Sequence, residues 1–147
     1  MRPRDGAYDG TEHRCDLVNG VTTVREIMST ELATVDPSTL LTDAARVMSA
    51  AGAGSVLVIE DEALVGIFTE RDILRALGYS SSADLARVSS VSKWMARDPV
   101  TIGPDTTAAE ALDRMLFGGF RHLPVMEDDV VVGIISMRDL AKTITVR

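Results

Sequence analysis

Aromatic residues and cysteine are both scarce in this sequence. Phe, Trp and Tyr together make up 4% of the chain, whereas 46% of its residues are hydrophobic. A folded core must therefore be built from aliphatic and methionine side chains rather than from large rings. Cys15 is the single cysteine, which excludes an internal disulfide. Because residues 1–20 contain no apolar stretch typical of a signal peptide, we expect a cytoplasmic protein with a flexible leader over these residues.

Long hydrophobic runs and a surplus of positive charge are absent as well. The apolar run over residues 56–59 is far shorter than the roughly 18 residues that a membrane helix needs, so no membrane partner is expected. The 22 acidic residues outnumber 15 basic ones and give a formal charge of -7. Such a charge repels a phosphate backbone, so a nucleic-acid-binding role would require the few basic residues to gather on one face.

An internal repeat organises the chain. A shift of 67 positions places residues 24–74 on residues 91–141 without a gap, and 16 of the 51 aligned pairs are identical. Shared composition does not account for so many ungapped identities, so the sequence indicates a duplication. Two copies most naturally close on each other, whereas solenoids need three or more repeats. We therefore predict two domains, over residues 21–78 and 79–147, related by a pseudo-twofold axis.

Each copy has the same order of secondary-structure signals. A short strand at Thr34–Val35 precedes a helix whose apolar residues recur at i, i+3, i+4 and i+7 and which ends near Gly52. Two apolar runs separated by an acidic turn predict a β-hairpin, and a last helix begins at Thr69 or, in the second copy, at Ser136. The prediction is a mixed α/β (α+β) fold, each domain having a small sheet and two packed helices in β-α-β-β-α order. A further helix over residues 84–95 is expected to connect them.

With these motifs in order, the sequence resembles the CBS domain family over residues 24–142. Each copy has a Thr-hydrophobic-x-Pro segment and a closing motif, Gly-Ile-Phe-Thr-Glu-Arg-Asp at 66–72 and Gly-Ile-Ile-Ser-Met-Arg-Asp at 133–139. The second copy also carries Arg-His-Leu-Pro-Val at 121–125. No single element is very specific, but the ordered set occurs twice.

A tandem CBS pair, or Bateman module, implies a particular architecture and ligand class. The two copies pack sheet to sheet with two equivalent clefts between them, and such modules often pair into a flat homodimer. In relatives those clefts commonly hold AMP, ADP, ATP or S-adenosylmethionine. The first copy departs from the pattern, because Gly-Ser-Val-Leu at 54–57 stands where the second has Arg-His-Leu-Pro.

Ser136 and Asp139, and likewise Thr69 and Asp72, form a Ser/Thr-x-x-Asp pattern at a helix start. This pattern is typical of a capping box, which stabilises a helix by about 1 kcal/mol and needs no ligand. An ionised Asp there can also accept two hydrogen bonds from a ribose diol, and the helix N-terminus favours a nearby anion. The two roles are compatible, and the resemblance favours ribose binding at both Asp residues.

Arg121 and His122 predict a phosphate-binding pair, because arginine offers a forked, charged donor and histidine adds another. The alternative is a pair of surface residues at a strand entrance. By resemblance, the short opening strands would lie along the adenine. The remaining candidate ligand-binding residues are Pro124, Thr34, Val35, Thr101 and Ile102.

No nucleophile with a neighbouring base is visible in the sequence, so we expect no enzyme. His13 and Cys15 are too few for a zinc site, and no metal or required cofactor is expected. The leading hypothesis is a regulatory module that senses an adenine nucleotide and acts on an unidentified effector protein, with S-adenosylmethionine as the alternative ligand. The alternative function is a ligand-free scaffold for homodimerisation or interaction.

Overall fold

The structure, a computed structural model, describes residues 22–143, so the leader predicted over residues 1–20 lies outside the described part. In chain order, its helices and strands are α1 Val24–Ile27, β1 Thr34–Val35, α2 Leu41–Ala51, β2 Ser55–Glu60, β3 Ala63–Thr69, α3 Glu70–Tyr79, α4 Ala83–Arg87, α5 Val91–Trp94, β4 Ala96–Arg97, α6 Ala108–Gly118, β5 His122–Glu127, β6 Val130–Ser136 and α7 Met137–Lys142. Each half combines a small set of strands with helices, which confirms the predicted mixed α/β (α+β) fold.

A β-hairpin lies at the centre of each half. Ser55 is opposite Thr69 at the open end of the β2–β3 hairpin, and His122 is opposite Ser136 at the open end of the β5–β6 hairpin. The two acidic residues of each connecting turn have φ between 50° and 65°, as a tight hairpin turn requires. Each open end therefore brings the start of one strand beside the helix cap that follows the next strand.

Helices α2 and α6 pack one apolar face against these hairpins. Their buried residues recur at helical spacing, at Leu41, Ala44 and Met48 and at Ala108, Ala111 and Met115. Both helices end at a glycine, Gly52 with φ of 61° and Gly119 with φ of 71°. Glycine adopts this left-handed conformation without steric cost. The helices and their glycine ends are as the repeat predicted.

Each hydrophobic core contains the opening helix of the other copy. Val24 of α1 lies in the core of the second hairpin with Val125 and Ile135, while Val91 of α5 lies in the core of the first hairpin with Phe68. The first amide of each opening helix also donates a hydrogen bond to a carbonyl just before the other copy's long helix, over 2.8 and 2.9 Å. Neither core is complete without residues from both copies.

The predicted connecting helix over residues 84–95 is wrong. Two short helices, α4 and α5, occupy this region, and Leu85 and Val88 are 57% and 63% exposed rather than packed on a core. Between the two helices the chain turns to pair with the start of α2, where the Leu41 amide donates to the Ser89 carbonyl over 2.9 Å. A continuous helix would use that carbonyl internally, so the pairing with α2 ends it.

Candidate ligand-binding cleft

A cleft of about 1310 Å³ lies between the two halves. The first half contributes the segment before β1, the end of α2 and the start of α3, and the second contributes the end of α6, the start of β5 and the start of α7. The open ends of both hairpins lie here. Four of the predicted site residues line the cleft, namely Arg121, His122, Ser136 and Asp139.

The charged residues that line the cleft carry a small excess of positive charge. They are the basic residues Arg71, Arg121, Arg138 and Lys142 and the acidic residues Glu31, Glu70 and Asp139. The chain as a whole has a formal charge of -7, so the cleft reverses the overall sign. Because surrounding protein lowers the effective dielectric, that local excess acts on a bound anion more strongly than it would on an open surface.

Asp139 is held at the cleft by the capping box of α7. The Ser136 amide donates to Asp139 Oδ2 over 2.8 Å, and the Ser136 hydroxyl donates to the same oxygen over 2.9 Å. In return, the Asp139 amide donates to Ser136 Oγ over 3.1 Å. The capping interpretation of this motif is confirmed, and it fixes the carboxylate at the mouth of a helix N-terminus.

Asp72 forms the same capping box in different surroundings. Its Oδ2 accepts from the Thr69 amide over 2.9 Å, while its Oδ1 accepts from Arg75 Nη1 over 3.0 Å. Asp72 is only 7% exposed, and neither it nor Thr69 lines the cleft. The two equivalent motifs therefore differ in what they can reach, although both cap a helix.

His122 lies against the first half of the molecule across the cleft. A Cβ placed on Gly54 would lie 3.1 Å from His122 Nε2 and 3.6 Å from Glu70 Oε2. Gly54 therefore provides the space that the imidazole occupies, and Glu70 brings a carboxylate close to the same point. This is a direct contact between the halves at the centre of the candidate site.

The environment of His122 lowers its pKa below the ordinary value. Burial is the main cause, since it disfavours the charged imidazolium. The carboxylates of Glu70 and Asp139 oppose the shift, while the guanidinium groups of Arg121 and Arg138 add to it. A ligand that places negative charge beside this ring would raise its pKa again.

The short opening strands do not line the cleft. Thr34–Val35 pairs in parallel with the middle of β2, and Ile102 forms a bridge with Val125 beside β5. Ile102 is 3% exposed, and its amide donates to the Pro124 carbonyl over 3.1 Å. The predicted site residues that are not part of the lining are Thr34, Val35, Thr101, Ile102, Pro124, Thr69 and Asp72.

Sequence reasoning missed the segment before β1, which contributes Ser29, Glu31 and Ala33 to the cleft. This segment reaches the second half because the Ser29 amide donates to the Ile134 carbonyl on β6 over 2.9 Å. The repeat alone does not say which hairpin an opening segment joins. The exchange of opening helices between the cores is what brings these residues to Asp139.

Apolar side chains form the other part of the lining that sequence reasoning missed. The larger of them are Met48, Leu57, Ile73, Met115, Leu116, Phe120, Ile134 and Met137. The periodic pattern of α2 and α6 had assigned the two helical methionines to the core, and both are indeed nearly buried. Met48 and Met115 also line the cleft, because the apolar face of each helix contributes both to the core and to the cleft wall.

Within residues 22–143, no group of three or more His, Cys, Asp and Glu side chains is placed to hold a metal ion. His13 and Cys15 lie outside these residues. In the same part of the chain, none of the helices combines the length and apolar character needed to cross a membrane.

Comparison with known proteins identifies relatives over nearly the whole described chain. A model of the family "CBS domain" matches residues 24–79 and 88–146. An uncharacterized 17.7 kDa protein of Acidianus ambivalens is 39% identical over 125 residues, covering 84% of this chain and 73% of that protein. The chain spans only 22% of the related CBS domain-containing protein CBSCBSPB5 of Arabidopsis thaliana.

Solved structures share the same architecture. The CBS-domain containing protein ATU1752 from Agrobacterium tumefaciens is 33% identical and superposes with a TM-score of 0.78, covering 82% of this chain and 98% of its own. CBSX2, solved in complex with AMP, is 25% identical with a TM-score of 0.69, covering 82% of this chain and 94% of its own. With two matched regions and the same fold, this chain belongs to the CBS domain family.

Proposed function

We propose that this chain is a regulatory module that binds an adenine nucleotide, AMP, ADP or ATP, in the cleft between its two halves. The observation that carries the proposal is the meeting of three features in one cleft: the Asp139 capping box, a cluster of basic residues and an apolar wall. Each feature suits a different part of a nucleotide. Both halves contribute to the lining, so a ligand bound there would contact both.

The Asp139 carboxylate is suited to the ribose. It has about four lone-pair sites, and the capping box uses only Oδ2. A ribose diol can donate to the remaining sites without breaking the cap. Because the capping box fixes the side chain before the ligand arrives, little further entropy is lost on binding.

The basic residues Arg121, Arg138 and Arg71 are suited to the phosphates. Guanidinium groups bind phosphate oxygens through two parallel, charge-assisted hydrogen bonds. The first turn of α7 adds a positive dipole end near the same place. S-adenosylmethionine carries a positive sulfonium instead of phosphate, so the excess of basic residues favours a nucleotide over this alternative ligand.

The apolar wall is suited to the adenine ring. Phe120 is 38% exposed and Leu116 is 67% exposed at the cleft, so both retain apolar surface that a base would cover. The AMP complex of CBSX2 supports an adenine ligand by analogy, since that protein has the same fold.

Regulation would follow from a change in the packing of the two halves. A ligand shifts a conformational equilibrium only by as much as its affinities for the two states differ. His122 contacts Gly54 across the two halves, so a change in their packing would alter this contact. We propose that the module works in the cytoplasm without catalysis of its own and passes the change to an effector protein.

The exposed apolar residues of α3, α6 and the chain around α4 favour a second role, a homodimeric or interaction scaffold. Phe117 is 98% exposed and Leu74 is 70% exposed, and such side chains are often covered by a partner. This role can accompany ligand binding or replace it. Light scattering of the purified protein would distinguish a dimer from a monomer.

The first experiment is a thermal unfolding assay with AMP, ADP, ATP and S-adenosylmethionine. A ligand at 100 times its dissociation constant stabilises the folded state by about 2.7 kcal/mol, a shift of several degrees in Tm. We expect a nucleotide to raise the Tm and Asp139→Asn, which retains a capping side chain, to reduce that rise to about half or less at the same ligand concentration. If none of the four compounds changes the Tm, and the purified protein carries no nucleotide, the sensor function is refuted in favour of the scaffold.

A further inference from the structure

We infer that the module binds one nucleotide per chain, beside Asp139, and that Gly54 is the residue that sets this one-sided arrangement. A duplicated chain would be expected to offer two equivalent sites. Three features of the described residues argue against the second site. The inference rests on the proposed function and adds the number and location of the sites.

The first feature is the space that Gly54 leaves for His122. Gly54 is equivalent in the repeat to Arg121, but a Cβ at this position would already lie 3.1 Å from His122 Nε2. The φ of Gly54 is outside the left-handed region, so space rather than backbone conformation keeps the residue small. An arginine at position 54 would displace the imidazole. The two halves therefore cannot both carry an Arg-His pair in this packing.

The second feature is the ion pair that occupies Asp72. Arg75 Nη1 lies 3.0 Å from Asp72 Oδ1, and the Asp72 side chain is 9% exposed. A ribose diol would have to displace the guanidinium to reach this oxygen. The pair itself adds little stability because Arg75 is half exposed, but it fills the position that a ligand would need. Asp139, by contrast, lines the open cleft.

The third feature is the unequal lining of the cleft. The segment before β1 lines it through Ser29, Glu31 and Ala33. The residues equivalent to these in the second copy are Ala96, Asp98 and Val100, and none of them is part of the lining. Both copies contribute the ends of their long helices and the starts of β2 and β5 to the lining, but only the second contributes its capping carboxylate and only the first its opening segment. The basic pair and the accessible carboxylate of the second copy therefore share the cleft with the opening segment of the first.

A matched pair of variants, Asp139→Asn and Asp72→Asn, tests the inference by titration calorimetry. The probe is whichever of AMP, ADP, ATP and S-adenosylmethionine raises the Tm of the unaltered protein most. Asparagine keeps a side-chain cap in both variants, so both should fold. We expect one site per chain, a loss of about 10- to 100-fold in affinity for Asp139→Asn, and a change within about twofold for Asp72→Asn.

The outcomes separate the inference from the proposed function. Two sites per chain, or an equal loss of affinity in both variants, would overturn the one-sided arrangement while leaving nucleotide sensing intact. One site that depends on Asp72 rather than Asp139 would overturn it as well. No binding of any of the four compounds would refute the proposed function and this inference together.

Gly54→Ala tests the role assigned to the glycine, with Gly78→Ala as its control. The added methyl group at position 54 would press on the imidazole, whereas a Cβ at position 78 meets no atom within 4 Å. We expect Gly54→Ala to weaken nucleotide binding by about 3- to 10-fold and Gly78→Ala to leave affinity unchanged. Equal affinity in Gly54→Ala and the unaltered protein would show that the one-sided arrangement does not depend on the space at Gly54.

Discussion

Asp72 and Asp139 complete the same capping box in the two halves, yet Asp72 is paired with Arg75 and 7% exposed, whereas Asp139 lines the cleft. The residues at the start of the strand after each long helix differ between the two halves as well. Gly54 precedes β2 and Ser55 begins it, whereas Arg121 precedes β5 and His122 begins it. The two copies thus share the same helix caps but differ in the side chains at the contact between the halves.

The comparison separates residues that maintain the fold from residues that distinguish the site. Identities between the copies include the glycines that end α2 and α6 and the Asp residues of the caps. These serve local backbone geometry, which both halves need. The differences at Gly54 and His122 complement each other across the contact between the halves, so one half supplies space and the other fills it.

Truncating equivalent core residues should give the largest effects and shows how closely the halves depend on each other. Phe68 and Ile135 are equivalent and fully buried. We expect Phe68→Ala to cost about 3–5 kcal/mol and Ile135→Ala about 2–5 kcal/mol, measured by urea unfolding. Because each core includes a helix from the other copy, both variants should still unfold in one transition. Separate transitions in either variant would contradict the coupling of the two cores.

Val24 and Val91 each lie in the core of the other copy's hairpin, so their truncation tests the exchange of opening helices. Val24→Ala removes apolar contacts from the second core, and Val91→Ala removes them from the first. Each variant should lose about 2 kcal/mol of stability. Native-state hydrogen exchange should then show weaker protection in β5 and β6 for Val24→Ala and in β2 and β3 for Val91→Ala. The opposite assignment would refute the exchange of opening helices.

Removing the two capping carboxylates should separate stability from binding. Asp72→Ala and Asp139→Ala should each lose about 1 kcal/mol through the cap, with the larger loss at Asp72 because it is more buried. Nucleotide affinity should follow the reverse order. Chemical unfolding and calorimetry on the same samples would test both orders, and a parallel loss of stability and affinity would contradict them.

Much of the fold was predictable because its signals are local. The apolar spacing of α2, the acidic hairpin turns and the cap residues Thr69 and Ser136 each act within a few residues, and the repeat doubled every signal. The helix over residues 84–95 was predicted wrongly because a tertiary hydrogen bond, from Leu41 to Ser89, decides where it stops. Such a bond leaves no periodic trace in the sequence.

The candidate site was predictable only in part, for a related reason. Asp139, Ser136, Arg121 and His122 could be chosen by side-chain chemistry, and the structure brings them together at one cleft. The segment around Glu31 could not, because its place depends on which hairpin the opening segment joins. A repeat shows that two copies are equivalent without showing whether they exchange segments.

The smallest expected effect comes from proton binding at His122. Its imidazole is partly buried and packs against Gly54, whereas the repeat equivalent, Ser55, has no side chain that titrates in this pH range. Burial lowers the His122 pKa in the folded state below its ordinary value of 6.5, so the unfolded chain binds the extra proton first as the pH falls. Stability from this group is therefore complete above about pH 6.5 and declines below it, towards the lowered folded pKa. Urea unfolding at pH 7.5, 6.5 and 5.5 should show a shallower loss for His122→Gln than for the unaltered protein, since titrating carboxylates contribute equally to both. Identical pH dependence in the two proteins would mean that the imidazole titrates as freely in the cleft as in the unfolded chain.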